Sequence, residues 1–76
     1  MDNEPYKKLR EMLVEVRKIA GLTQEELSQR LRKPQSFVSK YERGERRLDV
    51  VEFGEVVRAL ELDPVKLLAK FYRETQ

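Results

Sequence analysis

The side chains able to do chemistry gather in one stretch. Between Arg30 and Arg47 stand seven Lys or Arg residues and only two acidic ones, for a local charge of +5. Among them lie Gln35, Ser36, Ser39 and Lys40. Gln and Ser can both donate and accept hydrogen bonds, which suits the edges of nucleic-acid bases. Lys and Arg suit phosphate oxygens. Other chemistry is excluded by composition. The chain has no His and no Cys, which removes thiol reactions, disulfides, most zinc sites and every His-based proton transfer. It also lacks a Gly-rich phosphate loop and a paired-carboxylate cleft that so small a core could shelter. No enzyme, metal or cofactor is therefore expected.

The polar residues need an element to present them, and the spacing supplies a short helix. From about 34 to 43 the only apolar positions are Phe37, Val38 and Tyr41. A buried helix would not spend so many positions on Gln, Ser, Lys and Arg. Pro34 ends the preceding helix, pushes Lys33 towards an extended conformation, and can begin the new helix. The helix before it opens at Thr23-x-x-Glu26, a capping box in which each side chain satisfies the other end's orphan amide. Leu27 and Leu31 give that helix its inner side, and Arg30 and Arg32 place favourable charge at its last turn.

Three further helices follow from periodicity. Leu9, Met12, Leu13, Val16 and Ala20 fall on one helical face over roughly 6–20, and Gly21 stops it. Asp49-x-x-Glu52 caps a fourth helix, whose inner face should use Val50, Phe53, Val57 and Leu60, with Val56 close by. Asp63-Pro64 caps a fifth, carrying Val65, Leu68 and Phe71 or Tyr72. No stretch reads as a strand, a repeat or a linker. The expectation is one compact all-α domain of five short helices over 1–76.

Length and charge agree. Seventy-six residues allow one modest core. Without disulfides it must hold itself by close helix packing or by oligomerising. The net charge of +2 hides an asymmetry: +6 over 7–47, against −2 over 48–76 and −2 over 1–6. A basic middle and an acidic tail suggest one side that faces a polyanion and another used differently. No apolar run is long enough for a membrane span. The acidic start, Met1-Asp2-Asn3-Glu4-Pro5, lacks the apolar stretch of an export signal, so the expected compartment is the cytoplasm.

Two short helices joined by a turn of about four residues, the second with a polar outer face, meet the needs of a helix-turn-helix over 23–43. One helix braces on the DNA backbone while the next enters the major groove. Here the chain resembles the phage-repressor/Cro (XRE-like) family. The resemblance runs through Arg17-x-x-x-Gly21-Leu22-Thr23-Gln24, Leu27-Ser28, Gln35-Ser36-Phe37-Val38-Ser39, Glu42-Arg43-Gly44 and Ala59-Leu60-Glu61-Leu62. It implies a five-helix, lambda-repressor-like fold, with Ser28 small enough to let the two helices cross closely. It implies base reading by Gln35, Ser36, Ser39 and Lys40, led by Gln35 and Ser36. Phosphate contacts would come from Gln24 and from Thr23, which is a cap first, together with Arg32, Lys33, Arg43, Arg46 and Arg47. Arg17 and Glu42 look like the family's internal ion pair, and Tyr41 like a core residue. One departure stands out: the family's turn has Gly eight residues after Gln24, and this chain has Arg32. Either Arg32 bears a left-handed strain of about 1–2 kcal/mol, or the turn is shaped differently.

The function implied is that of a sequence-specific regulator of transcription on double-stranded DNA. Prophage repressors, restriction-modification controllers and antitoxin-type autoregulators all fit. RNA polymerase is a further candidate partner, since 76 residues leave no room for an effector domain. A homodimer on an operator with dyad symmetry is expected, joined through the helices over 49–74. Phe53, Val56, Leu60, Leu62, Val65 and Leu68 would fill the inside, leaving Val51, Leu67, Phe71 and Tyr72 to the interface. Gly54, inside a helix, suggests close backbone approach by a packing partner. The competing reading is a protein-interaction module that keeps the helix-turn-helix shell without specific DNA binding.

Overall fold

Each helix starts and stops for a local reason. The computed structural model describes residues 4–75, so the first three residues of the acidic start lie outside them. The elements are α1 (Glu4–Ile19), α2 (Gln24–Leu31), α3 (Gln35–Arg43), α4 (Val50–Ala59) and α5 (Pro64–Glu74). Both capping boxes form: Thr23 with Glu26 opens α2, and Asp49 with Glu52 opens α4. Asp63 accepts from the Val65 amide at the start of α5.

Helices α1 to α4 each end in a left-handed residue: Gly21, Arg32, Gly44 and Glu61. Arg32 takes φ 56° and ψ 42°. Its amide donates to the Gln29 carbonyl at 3.1 Å, and the Lys33 amide to the Ser28 carbonyl at 3.0 Å. The turn thus keeps the shape a glycine would give, and the arginine carries the strain. Glu61 does the same after α4 with φ 61°, a strain that the reading of the sequence did not anticipate.

Packing follows from the apolar faces. Leu13, Leu27, Phe37, Val38, Tyr41, Phe53, Val56, Val57, Leu60 and Leu67 form one buried cluster. α2 and α3 pack against each other, α4 backs α2, and α5 closes over α1 and α4. Ser28 is buried in α2, and its hydroxyl donates to the Glu25 carbonyl at 2.7 Å. Phe37 and Tyr41 meet edge to face, with centroids 5.6 Å apart. The Tyr41 hydroxyl is buried without a partner among the described residues. Burial, with the Glu42 carboxylate second, pushes its phenol above the ordinary range.

The second half departs from expectation in five places. Leu67, assigned to an interface, is 8% exposed and belongs to the core. Val65, assigned to the core, is 75% exposed, and Val50 and Leu62 are also exposed. The reason is that α5 carries two overlapping apolar rows, 64–67–68–71 and 65–69–72, and helical spacing fits both. The docking angle chooses the first. Gly54 is buried, yet the atoms near an added Cβ are those of the Arg58 guanidinium, at 3.2 Å, one turn along the same helix. Among the described residues, no atom of another helix is among the three nearest to that added Cβ.

Candidate nucleic-acid interface

The outer face of α3 is built by the three apolar anchors on its inner face. With Phe37, Val38 and Tyr41 buried, the helical spacing turns Gln35, Ser36 and Lys40 outward, all exposed. Among the described residues these three side chains make no hydrogen bond. Ser39 is half-buried and donates to the Ser36 carbonyl at 3.3 Å. Pro34, at the N-cap, offers no side-chain bond to the first amides of α3; the Phe37 amide donates to the Pro34 carbonyl at 2.9 Å, which leaves those of Gln35 and Ser36 open at the polar end.

Behind this face lies a buried polar knot. Arg17 donates from Nε to Glu42 Oε2 at 2.7 Å and from Nη2 to Oε1 at 3.1 Å. Its Nη1 donates to the Leu22 carbonyl at 2.7 Å. Gln24, in the first turn of α2, donates from Nε2 to Glu42 Oε1 at 2.8 Å. One carboxylate on α3 thus ties α1, the α1–α2 turn and α2 together. Gln24, expected to reach outward to phosphate, spends its amide on this knot. The resemblance implied the pair of Arg17 and Glu42, but not that Gln24 joins it.

The cations divide into free and committed ones. Arg32 and Lys40 are exposed and make no ion pair among the described residues. Arg43 is forked onto Glu45, at 2.9 and 3.1 Å. Arg46 is forked onto Glu52, at 2.6 and 3.1 Å. The Arg46 guanidinium lies 4.7 Å from the centre of the Phe37 ring, and the Lys33 ammonium 5.0 Å from it. Arg47 stacks over Tyr6 at 4.0 Å, linking the α3–α4 loop to α1. These contacts favour the ionised form of the carboxyls they touch. The Arg46 guanidinium, followed by the Asp49 amide, pulls the Glu52 carboxyl down to about 2. Arg43 lowers Glu45, and the Thr23 amide lowers Glu26. Glu52 was legible as a cap. Its second role was not, because Arg46 sits in a loop whose path the sequence leaves open.

Thr23 is exposed at the cap of α2, and its hydroxyl accepts from the Glu26 amide at 3.0 Å. Of the residues assigned to an interface between copies, Val51 and Tyr72 are exposed and Phe71 is half-buried. Lys33, Arg46 and Phe37 come together at the start of α3, whereas Arg47 points to α1.

Two crossing helices, joined by the three-residue turn 32–34 and followed by a basic loop, define a helix-turn-helix protein. A family model described as helix-turn-helix matches residues 13–73. Among solved structures, an XRE-family like protein from Pseudomonas syringae pv. tomato str. DC3000 superposes with a TM-score of 0.92. It is 50% identical and covers 97% of this chain and 90% of its own. A Y37F mutant of the restriction-modification controller protein C.Esp1396I gives a TM-score of 0.86 at 24% identity, covering 97% and 94%. The wild type of that controller gives 0.85 at 22% identity, covering 96% and 94%. No curated protein matches the chain. The chain belongs to the XRE-like helix-turn-helix family of DNA-binding transcriptional regulators, and it is not an enzyme. No helix among the described residues is long and apolar enough to cross a membrane.

Proposed function

We propose that the chain reads a specific duplex sequence in the cytoplasm as a homodimer, laying α3 of each subunit in the major groove. The observation that carries this reading is the outer face of α3. Gln35, Ser36 and Lys40 are exposed there, and their polar groups have no partner among the described residues. An uncommitted Gln can pair both atoms of its amide with adenine, and Ser can bond either way. Ser39 borders them. Around this face Thr23, Arg32, Lys33, Arg43 and Arg46 meet the phosphates, whereas Gln24 and Arg47 do so only by releasing Glu42 and Tyr6, their partners in the free chain. The exposed, exchangeable pair Arg43–Glu45 gives up little when phosphate replaces the carboxylate.

One recognition helix makes too few contacts for the roughly 10⁻⁸–10⁻¹¹ M of specific binding. Two copies related by a two-fold axis read half-sites about 34 Å apart. The apolar row Val65–Ala69–Tyr72 on α5, with Leu62 beside it, is exposed and lies on the acidic half of the chain. That row, rather than Leu67, joins the copies, with Val51 of α4 and part of Phe71 adding to it. Occupying a promoter then represses or autoregulates transcription, as in prophage repressors, restriction-modification controllers and antitoxin-type regulators. RNA polymerase is met from an adjacent site.

Selection of bound sites from a random duplex pool tests the proposal. The wild type should enrich a consensus with dyad symmetry. Gln35→Ala should relax one position in each half-site, by roughly 1–3 kcal/mol per lost base contact. No enrichment by the wild type, or an unchanged ranking of sites by Gln35→Ala, rejects it.

A further inference from the structure

Two cations beside α3 rest on the Phe37 ring, and one of them is also forked onto Glu52 of α4. Arg46 donates from Nη2 to Glu52 Oε2 at 2.6 Å, and from Nη1 to Glu52 Oε1 at 3.1 Å and to the Arg47 carbonyl at 3.0 Å. A guanidinium has five N–H donors, so donors remain for a further acceptor. Glu52 is itself immobilised. Its Oε1 accepts from the Asp49 amide at 3.0 Å, inside the capping box of α4. The Glu52 side chain is more buried than that of Arg46.

The buried ring of Phe37 carries the Arg46 guanidinium at 4.7 Å and the Lys33 ammonium at 5.0 Å. Two like charges on one ring would repel each other. The Glu52 carboxylate offsets this, since Lys33 as well as Arg46 lowers its titration. Lys33, Arg46 and Glu52 together leave a charge of +1, which matches one phosphodiester.

We propose that Glu52 and Phe37 are positioning residues for DNA binding, holding Arg46 and Lys33 as one pre-formed seat for a backbone phosphate without touching DNA themselves. This rests on the reading of α3 as the DNA-facing helix. Its physical content is that a long, flexible cation ordered in advance surrenders less freedom on binding than one that is free. The seat fixes where the backbone passes the start of α3, and so sets the register in which Gln35 and Ser36 meet the bases.

The sign of one substitution separates this from general electrostatics. Glu52→Gln keeps an acceptor for the capping box and removes a negative charge beside the DNA. General electrostatics makes it bind more tightly. Positioning makes it bind more weakly, by about tenfold for a dimer with two seats. The measurement is fluorescence anisotropy of full-length protein on a duplex selected by the wild type, over a range of salt. Arg46→Ala should weaken binding and make the slope of log K against log salt shallower by about 2, one contact per subunit. In the Arg46→Ala background, Glu52→Gln should cost nothing further. Phe37→Leu, shown folded by its thermal melt, should weaken binding in the same direction.

The proposal is overturned if Glu52→Gln binds as tightly as the wild type or tighter. It is equally overturned if its loss persists undiminished beside Arg46→Ala, or if Arg46→Ala binds like the wild type. Failure of the underlying reading looks different: the wild type then shows no salt-dependent binding to any duplex, and both fall together.

Discussion

Replacing Glu42 by Ala removes the carboxylate at the centre of the buried knot. Arg17 and Glu42 side chains are only 10% and 5% exposed, so solvent cannot take over the lost contacts. The substitution strands the Arg17 guanidinium with the Leu22 carbonyl as its remaining partner, and frees the Gln24 amide. Breaking a buried pair in this way costs about 3–5 kcal/mol, most of it from the charge left behind. At roughly 0.05–0.15 kcal/mol per residue, a chain of 76 residues has about 4–11 kcal/mol in all. Glu42→Ala should therefore remove about a quarter or more of the stability and lower the melting temperature by about 20 °C. Urea denaturation followed by circular dichroism measures the loss. A compensating pair sharpens the test. Arg17→Met with Glu42→Leu replaces both charges by apolar groups of similar size and should recover most of the loss. A loss below about 1 kcal/mol for Glu42→Ala, or a double variant no better than the single one, refutes the reasoning.

Arg32→Gly and Glu61→Gly should each stabilise by up to about 1 kcal/mol, because relief of left-handed strain exceeds the entropy cost of glycine. Only Arg32→Gly should also weaken DNA binding, and a destabilising result for either contradicts the strain observed. Sedimentation velocity should show that Val65→Glu and Tyr72→Glu turn a dimer into folded monomers, whereas Leu67→Glu unfolds the chain. The α5 interface fails if both exposed variants stay dimeric, or if the wild type is monomeric at high micromolar concentration. The Glu52 carboxyl is lowered from 4.5 to about 2, so its contribution to stability is present above pH 4.5 and is lost as pH falls towards 2. Denaturation midpoints measured across that window should fall less in Glu52→Gln than in the wild type, and equal falls would show that Arg46 does not hold the carboxylate.

Local chemistry made the helices legible in the sequence. Thr23 with Glu26, Asp49 with Glu52, and Asp63 before Pro64 each act within a few residues, so caps and boundaries need no knowledge of the rest of the chain. The same holds for the outer face of α3. Three apolar anchors at 37, 38 and 41 determine which way 35, 36 and 40 point, because helical geometry is fixed at 3.6 residues per turn. The pairing of Arg17 with Glu42, 25 residues apart, came from the family resemblance and not from any local rule.

What lay beyond the sequence depended on how helices dock. α5 has apolar residues on two overlapping rows, and each row satisfies the helical period. Only the crossing of α5 over α1 and α4 decides that Leu67 is buried and Val65 left outside. Arg32 could have reshaped its turn. The packing of α2 against α3 outweighs about 1–2 kcal/mol of backbone strain and holds the arginine in a glycine's conformation. The partners of Arg46 were hidden for a related reason. A loop has no period, so nothing local reveals that its guanidinium comes to rest between the Phe37 ring of α3 and the Glu52 carboxylate of α4. Contacts between residues distant in sequence are set by the sum of all the packing, and that sum exists only once the chain has folded.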